Sequence, residues 1–365
     1  MSTLILSAAD VDRVVSQFTP KDLVQLMAKV FWELNRFSQD TQSNQDDIVQ
    51  PHRLTIPMQN HTALFMPSRI ASFGTAIKVV SVPTATAPPE VRQRGLPAST
   101  LVFDETTGAV NGIVNAGTLT ALRNAAGSLL ATRTLLYPVE KYPRKLVAFG
   151  AGAQIAAHLS LFLDFYFTIT EVAIFNRSKN ARVSSLIASL KAKFGERVAF
   201  SAHILPAVDG ERAVLQQALH NADIVITATS STEPLFPSSF ISSGTHLCLI
   251  GSYKPSMHEI DTDLVRRAGT IVVDSREACK TEAGELIAAK VADEDLVELG
   301  SLFEINEQDP TSKSWTPHKS EVIRLRSKGD VTIFKSVGVG IQDVAIAHAV
   351  VARAKSMGVG TYVDL

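Results

Sequence analysis

The spacing of apolar and polar positions divides the chain into two regimes. A short apolar run at residues 4–6 precedes Ser7, which is placed to cap a helix over residues 8–17. Thr19 followed by Pro20 repeats the signal, an N-cap and then proline at the first helical position, ahead of an amphipathic stretch at 23–34. The polar segment 36–50 has no clear period and reads as a loop. Strand-like runs follow at 54–58, 62–66, 76–82 and 99–103. The last is joined through Thr106-Thr107-Gly108 to a run at 109–115, and together they predict an antiparallel sheet. Between them, four prolines in residues 83–97 exclude a central strand and predict an irregular excursion.

The Ala- and Leu-rich stretch 118–136 carries apolar residues at helical spacing and predicts a long helix that links two halves. Beyond it the pattern changes. Continuous β-branched-rich runs at 145–149, 171–175, 223–227, 246–250 and 270–273 alternate with helical segments, which implies βαβ units and a parallel sheet covered on both faces. A run at 331–334, a glycine-containing turn at 336–340 and an apolar helix at 341–355 close the chain, and the position of that helix after the last strand suggests a return to the first domain. The predicted fold class is α/β, a Rossmann-type dinucleotide-binding domain plus an α+β domain. The boundaries fall at 1–125 completed by 335–365, and at 126–334. A length of 365 residues, beyond what one core usually fills, agrees with two domains.

Composition narrows the function classes. With 35 basic against 36 acidic residues the net charge is −1, too little field to draw in nucleic acid or an anionic membrane. No stretch approaches the roughly 20 apolar residues that span a bilayer, and the N-terminus lacks the basic start and long apolar centre of a signal peptide. The expected location is cytoplasmic. Two cysteines form no spaced pairs, and Cys248, inside an apolar run, reads as a buried reduced thiol. The nine histidines show no metal-ligand spacing, so no metal is assigned.

The run KLVAFGAGAQIAAHLSLFL places Gly150-Ala151-Gly152 directly after a buried strand and before a helix, the context a dinucleotide fingerprint requires. Glycine permits the tight turn and lets the backbone approach a pyrophosphate, whose charge meets the amides at the helix start. Ile155 stands where a third glycine or alanine is usual, and its bulk should push the helix slightly from the strand. The next strand ends in Asn176-Arg177-Ser178-Lys179. An NAD site places an acid there for the ribose 2′-hydroxyl, whereas a neutral Asn176, a donating Ser178 and the Arg177 guanidinium suit a 2′-phosphate. NADP(H) is therefore preferred, with NAD(H) as the alternative. A hydroxyl-rich strand end at Thr227, Thr229 and Ser230 lies at the carboxyl edge where ligands of open α/β sheets bind.

Taken in order, Arg53, Lys78 in AIKVVSV, TALRNAAGSLLAT, GAGAQ, NRSKNA, ADIVITATSSTEP, VVDSREACKTEAGEL and VTIFKSVGVGIQD resemble the ornithine cyclodeaminase/μ-crystallin family over roughly residues 50–350. The resemblance implies a homodimer whose N-terminal domain, completed by the C-terminal helix, binds substrate and dimerises, with a Rossmann domain between. It implies that Arg53 and Arg123 hold the carboxylate of an amino or imino acid and that Lys78 acts at the carbon–nitrogen centre. It extends the cofactor contacts from Gly150, Gly152, Asn176, Arg177, Ser178, Lys179, Thr227 and Thr229 to Asn124, Ala153, Gln154, Ala228 and Val337. The chemistry of the side chains agrees. A guanidinium recognises a carboxylate in bidentate fashion, and a lysine exchanges protons when burial lowers its pKa. Taken alone, Lys78 in an alternating strand would be expected to point outward to solvent.

Departures from the family pattern limit what is carried over. Tyr253 stands where cyclodeaminases have an aspartate, so no carboxylate is available there to grip the second amine of ornithine. Asn124 replaces a usual threonine, and Asn115-Ala116 a usual Asp-Gly. The expected activity is NADPH-dependent reduction of the C=N bond of an imino acid, with Tyr253 at the substrate. The alternatives are cyclodeamination or amino-acid dehydrogenation with bound NAD(P), and an NADPH-dependent small-molecule binding protein without catalysis.

Overall fold

A computed structural model of the chain describes residues 2–39, 46–136, 142–205, 211–306 and 315–364. The chain divides into two compact units, Met1–Arg123 with Val339–Leu365, and Asn124–Gly338. The first opens with β1 (Ser2–Leu6), α1 (Ala8–Val15) and α2 (Pro20–Gln39), followed by β2 (Ile48–Val49), β3 (Leu54–Pro57), β4 (His61–Ile70) and β5 (Gly74–Pro83). The short α3 (Pro89–Gln93), β6 (Ala98–Phe103), β7 (Val110–Asn115) and the start of α4 (Leu119–Leu135) complete its N-terminal part. The second unit runs through β8 (Lys145–Phe149), α5 (Ala153–Phe165), β9 (Glu171–Asn176), α6 (Ala181–Phe194), β10 (Ala199–Ile204), α7 (Glu211–His220) and β11 (Ile224–Thr227). It continues with β12 (His246–Leu249), α8 (Thr262–Ala268), β13 (Ile271–Val273), α9 (Arg276–Glu282), α10 (Gly284–Ala289) and β14 (Leu296–Glu298). The antiparallel pair β15 (Phe303–Ile305) and β16 (Trp315–Pro317), then α11 (Lys319–Arg326) and β17 (Thr332–Lys335), end it. The C-terminal α12 (Gly340–Met357) and β18 (Thr361–Asp364) belong to the first unit.

Local chemistry starts the first two helices where the sequence predicts. Ser7 Oγ accepts from the Asp10 amide while Asp10 accepts from the Ser7 amide, and Thr19 and Asp22 form the same reciprocal pair ahead of α2. The end of α2 differs from expectation. It continues to Gln39 through residues that show no apolar period, with the Arg36 guanidinium 4.5 Å from the Trp32 ring centre and the Ser38 hydroxyl donating to Leu34 O. Such surface contacts one turn apart propagate a helix without an apolar face. The rest of the expected loop includes residues 40–45, outside the described residues, and the short β2.

In the first unit the strands order as β18-β1-β7-β6-β5-β4-β2, with β3 also on β4. The β4–β7 pairings are antiparallel, as expected, but β1 joins β7 in parallel. β4 is twice the predicted length because Pro67 does not end it. That proline falls between the stretches paired with β3 and β2, where β5 is the strand's one partner among the described residues. The helix α12 packs on β4 and β5, and its start is pinned. A Cβ on Gly340 would lie 2.0 Å from Ser68 Oγ, and Gln50 accepts from the Ile341 amide.

The second unit is a parallel sheet ordered β10-β9-β8-β11-β12-β17-β13-β14. Its central strands are buried on both faces, which explains their unbroken apolar runs. Phe149 stacks on Phe175 at 5.4 Å and tilts against Phe236 at 4.9 Å on one of those faces. β10 and β14 escaped the sequence reading because they flank the sheet with mixed or very short sequences. The strand order reverses at β8, which pairs with both β9 and β11, so the crevice where such sheets bind ligands opens at the carboxyl ends of β8 and β11. Residues 335–338, assigned from sequence to the first domain, stay with this unit. Lys335 ends β17, and Asp274 accepts from the Ser336 hydroxyl and the Gly338 amide, each at 2.7 Å. Among the described residues no helix is long and apolar enough to cross a membrane.

Candidate functional site

In the first unit, alternate residues Gly74, Ala76 and Lys78 of β5 share the buried face. Lys78 therefore points inward, at 3% exposure, contrary to the outward orientation expected of an isolated strand lysine. Its amine donates to Asp343 Oδ2 at 2.6 Å, and Asp343 lies in the first turn of α12. Arg123 donates to the same carboxylate, from Nε to Oδ1 at 3.1 Å and from Nη2 to Oδ2 at 3.3 Å, while its Nη1 donates to Gln342 Oε1 at 2.6 Å. Gln342 Oε1 also accepts from the Val339 amide, so one side chain caps α12 and braces the arginine.

Burial is the largest influence on Lys78 and lowers its pKa from 10.5 to about 8, with Asp343 pulling it up and Arg123 and the half-buried Arg53 pushing it down. Burial by itself would raise the Asp343 carboxyl. The Arg123 and Lys78 charges outweigh it and hold the group below its ordinary value. Asp343 was absent from the sequence reading, although a lone acid in the apolar run GIQDVAIA was the available signal.

In the second unit a cavity of about 560 Å³ opens at the carboxyl ends of β8, β9 and β11. Of the residues predicted to bind cofactor, Gly150, Gly152, Asn176, Arg177, Ala228 and Thr229 line it. Gly150 has φ +109°, its amide donates to Phe175 O, and a Cβ there would stand 3.0 Å from Ala228 O, so glycine is required. Ile155 is wholly buried, with its Cγ1 3.5 Å from where a Cβ on Gly150 would stand. Gly152 is the N-cap of α5 without a side-chain cap bond, nothing lies within 4 Å of where its Cβ would be, and Gln154 Oε1 is buried with no hydrogen-bond partner. Open space and uncapped helix amides fit a dinucleotide phosphate at this turn. A smaller cavity, about 370 Å³, extends to the first residues of β8, β9 and β10, Lys145, Glu171 and Ala199, at the opposite edge from the glycine turn.

The other predicted residues are placed as follows. Ala153 and Gln154 open α5. Ser178 and Lys179 are exposed; the Ser178 carbonyl accepts from Asn176 Nδ2, and Asn180 caps α6. Arg182, not singled out from sequence, lines the cavity beside Arg177. Glu233 also lines it but sits after β11, not at the β9 end where an acid would bind a ribose 2′-hydroxyl. Thr227 is wholly buried, with its hydroxyl donating to Glu259. Asn124 is buried on α4, and Val337 packs against the core beyond β17. Tyr253 is half-buried next to Ser252, with the Lys254 ammonium 5.6 Å from its ring centre.

Residues 10–358 match the ornithine cyclodeaminase/mu-crystallin family. The ketimine reductase mu-crystallin of Macropus fuliginosus is 28% identical over 83% of this chain and 84% of its own length. A Delta(1)-pyrroline-2-carboxylate reductase of Bacillus cereus is 26% identical over 87% of this chain and 89% of its own. Among solved structures, the Thermococcus litoralis Delta(1)-pyrroline-2-carboxylate reductase in complex with NADH and L-proline superposes with a TM-score of 0.77 at 24% identity, covering 99% of this chain and 100% of that one, a likeness of fold.

The Asp343 contacts generate a test. Asp343→Asn leaves Lys78 and Arg123 as buried like charges and should cost about 3–5 kcal/mol of stability. The Lys78 amine should then lose its proton in the folded state at lower pH than wild type. The unfolded chain would bind the extra proton, so the variant's stability should rise with pH from its folded Lys78 pKa toward the unfolded value. Urea denaturation of both proteins between about pH 6 and 9 measures this, and a penalty independent of pH would contradict it.

Proposed function

The chain belongs to the ornithine cyclodeaminase/mu-crystallin family, and from that premise we infer that it is a nicotinamide-dinucleotide oxidoreductase reducing the C=N bond of a small imino acid, with NADPH preferred. The observation that carries the reading is the buried Lys78 amine, bonded to Asp343 at 2.6 Å and influenced by the charges of Arg123 and Arg53. Its chemistry is that of a proton donor among cationic side chains, suited to a substrate with a carboxylate beside its imine. Relatives named as ketimine and pyrroline-2-carboxylate reductases support the same class of reaction.

When bound, the reduced dinucleotide supplies a hydride to the imine carbon. Lys78 supplies the proton to the nitrogen, so that C=N becomes CH–NH. Asp343 favours the ammonium form of Lys78, and the pKa near 8 lets the amine give up and regain a proton close to neutral pH. Arg123, oriented by its bonds from Nε and Nη2 to Asp343 and from Nη1 to Gln342, holds the substrate carboxylate together with Arg53. Tyr253 borders the substrate. Its phenol does not replace the acid that cyclodeamination of a diamino acid would use at that position.

The Gly150–Gly152 turn and the start of α5, with Gln154 nearby, would hold the dinucleotide phosphates. Asn176, Ser178, Lys179 and Arg177 receive the adenosine ribose and its 2′-phosphate. The same reading includes a homodimer, supported by the exposed apolar side chains of Leu54 (66%) and Ile56 (52%) in β3 and of Met58 (48%) just after it.

Lys78→Met should lower kcat for imino-acid reduction by about 10²–10⁴-fold and leave NADPH affinity within about twofold. In the wild type, kcat/KM for reduction should fall above about pH 8 as the Lys78 proton is lost. A substrate screen following NADPH absorbance measures both; full activity in the variant or a flat alkaline profile would remove the assignment. Arg177→Ala should reduce the ratio of kcat/KM for NADPH over NADH about tenfold, and an unchanged ratio would count against the 2′-phosphate contact. For the dimer, sedimentation velocity should show two-chain particles that Leu54→Glu with Ile56→Glu converts to single chains; a monomeric wild type would exclude it.

A further inference from the structure

A second buried carboxylate stands at the ligand-facing edge of the Rossmann unit. Glu259 is wholly buried, in the segment that precedes α8. Its Oε1 accepts from the Thr229 amide at 2.6 Å and the Thr229 hydroxyl at 2.9 Å. Its Oε2 accepts from the Thr227 hydroxyl and the Gly251 amide, each at 2.7 Å. One carboxylate therefore spans the ends of two neighbouring strands, the loop after β11 and the loop after β12. The loops are also in contact with each other. A Cβ on Gly251 would lie 2.1 Å from Thr229 O and 2.4 Å from Glu259 Oε1, so glycine at 251 is what permits the approach.

The next residue is anchored from below. The Lys335 amine, at the end of β17, donates to Ser252 O at 2.7 Å and to the Ser252 hydroxyl, which donates to Glu285. The same amine lies 2.9 Å from Glu285 Oε1, within ion-pair distance but not aligned as a hydrogen bond, and both side chains are fully buried. Tyr253 follows immediately, and Thr229 lines the cavity beside the glycine turn. A loop tied at 251 and 252 by buried charge-assisted bonds has little freedom to shift.

We propose that Glu259 is a positioning residue: its carboxylate clasps the β11 and β12 loops together and so sets where Thr229 and Tyr253 stand toward the nicotinamide half of the dinucleotide and the substrate. The assignment of those loops to the nicotinamide half rests on the function proposed above. Glu259 itself touches neither ligand. Its role is geometric, and a neutral side chain of the same shape cannot fill it. In glutamine one oxygen becomes an NH₂ without an acceptor lone pair, so in either orientation it confronts the amide N–H of Thr229 or of Gly251.

Glu259→Gln in the full-length protein tests this. Binding of ADP and of its 2′-phosphorylated form, which use the adenosine half and the glycine turn, should stay within about twofold of wild type. NADPH affinity should weaken about tenfold, and kcat for imino-acid reduction should fall by up to about 10²-fold. Wild-type NADPH affinity with wild-type kcat overturns the proposal. So does an equal loss of adenosine-half binding, which would mark a general structural effect. If the variant does not fold, Thr227→Val removes one hydroxyl donor to Glu259 with the side-chain shape kept. It should lower kcat and NADPH affinity with ADP binding retained, and unchanged values overturn the proposal. If the wild type reduces no imine, the activity reading fails, and the contrast between NADPH and ADP binding still decides the role of Glu259.

Discussion

Two cations, Lys78 and Arg123, can lie buried side by side in the first unit because one equally buried carboxylate, Asp343, is bonded to both. Removing charges from water costs several kcal/mol each, and their attraction repays that only where the geometry is close and the remaining polar atoms are satisfied. Here both carboxylate oxygens are engaged, and Gln342 accepts a further bond from the guanidinium. Lys78 comes from β5 and Asp343 from α12, 265 positions later in the chain. The C-terminal segment is thus needed to make the buried lysine tolerable, which gives its return to the first unit a chemical consequence as well as a packing one.

A comparable constraint shapes the second unit. Its central strands are apolar on both faces over most of their length, and a set of buried polar groups gathers at the carboxyl edge. Thr227, Thr229, Glu259, Ser252, Glu285 and Lys335 form a bonded set there, at the ends of β11, β12 and β17. The glycine turn after β8 stays open beside them. Rigid loops held by buried bonds and an open backbone cradle occupy the same edge of one sheet, the arrangement a preorganised binding site requires.

Much of this was legible in the chain. Ser7 and Thr19 announce their helices because capping is a local hydrogen bond, and the five apolar runs from 145 to 273 announce a parallel sheet because burial on both faces leaves no polar positions. The glycine turn was readable because few residues other than glycine adopt its φ. The length of α2 was not, since surface contacts such as Arg36 over Trp32 extend a helix without an apolar period. Nor was β18, whose four residues are ordered by pairing with β1 at the far end of the chain.

The sequence by itself determined the fold class, the two-part organisation and the position of the glycine turn after β8, because each follows from contacts between near neighbours or from a repeating pattern of burial. Only the tertiary structure decided which way Lys78 faces, that Arg123 is bound to Asp343, and that Thr227 and Thr229 bond to Glu259. Those outcomes depend on side chains brought together from distant strands and helices, where the state of one buried charge is set by the charge folded against it.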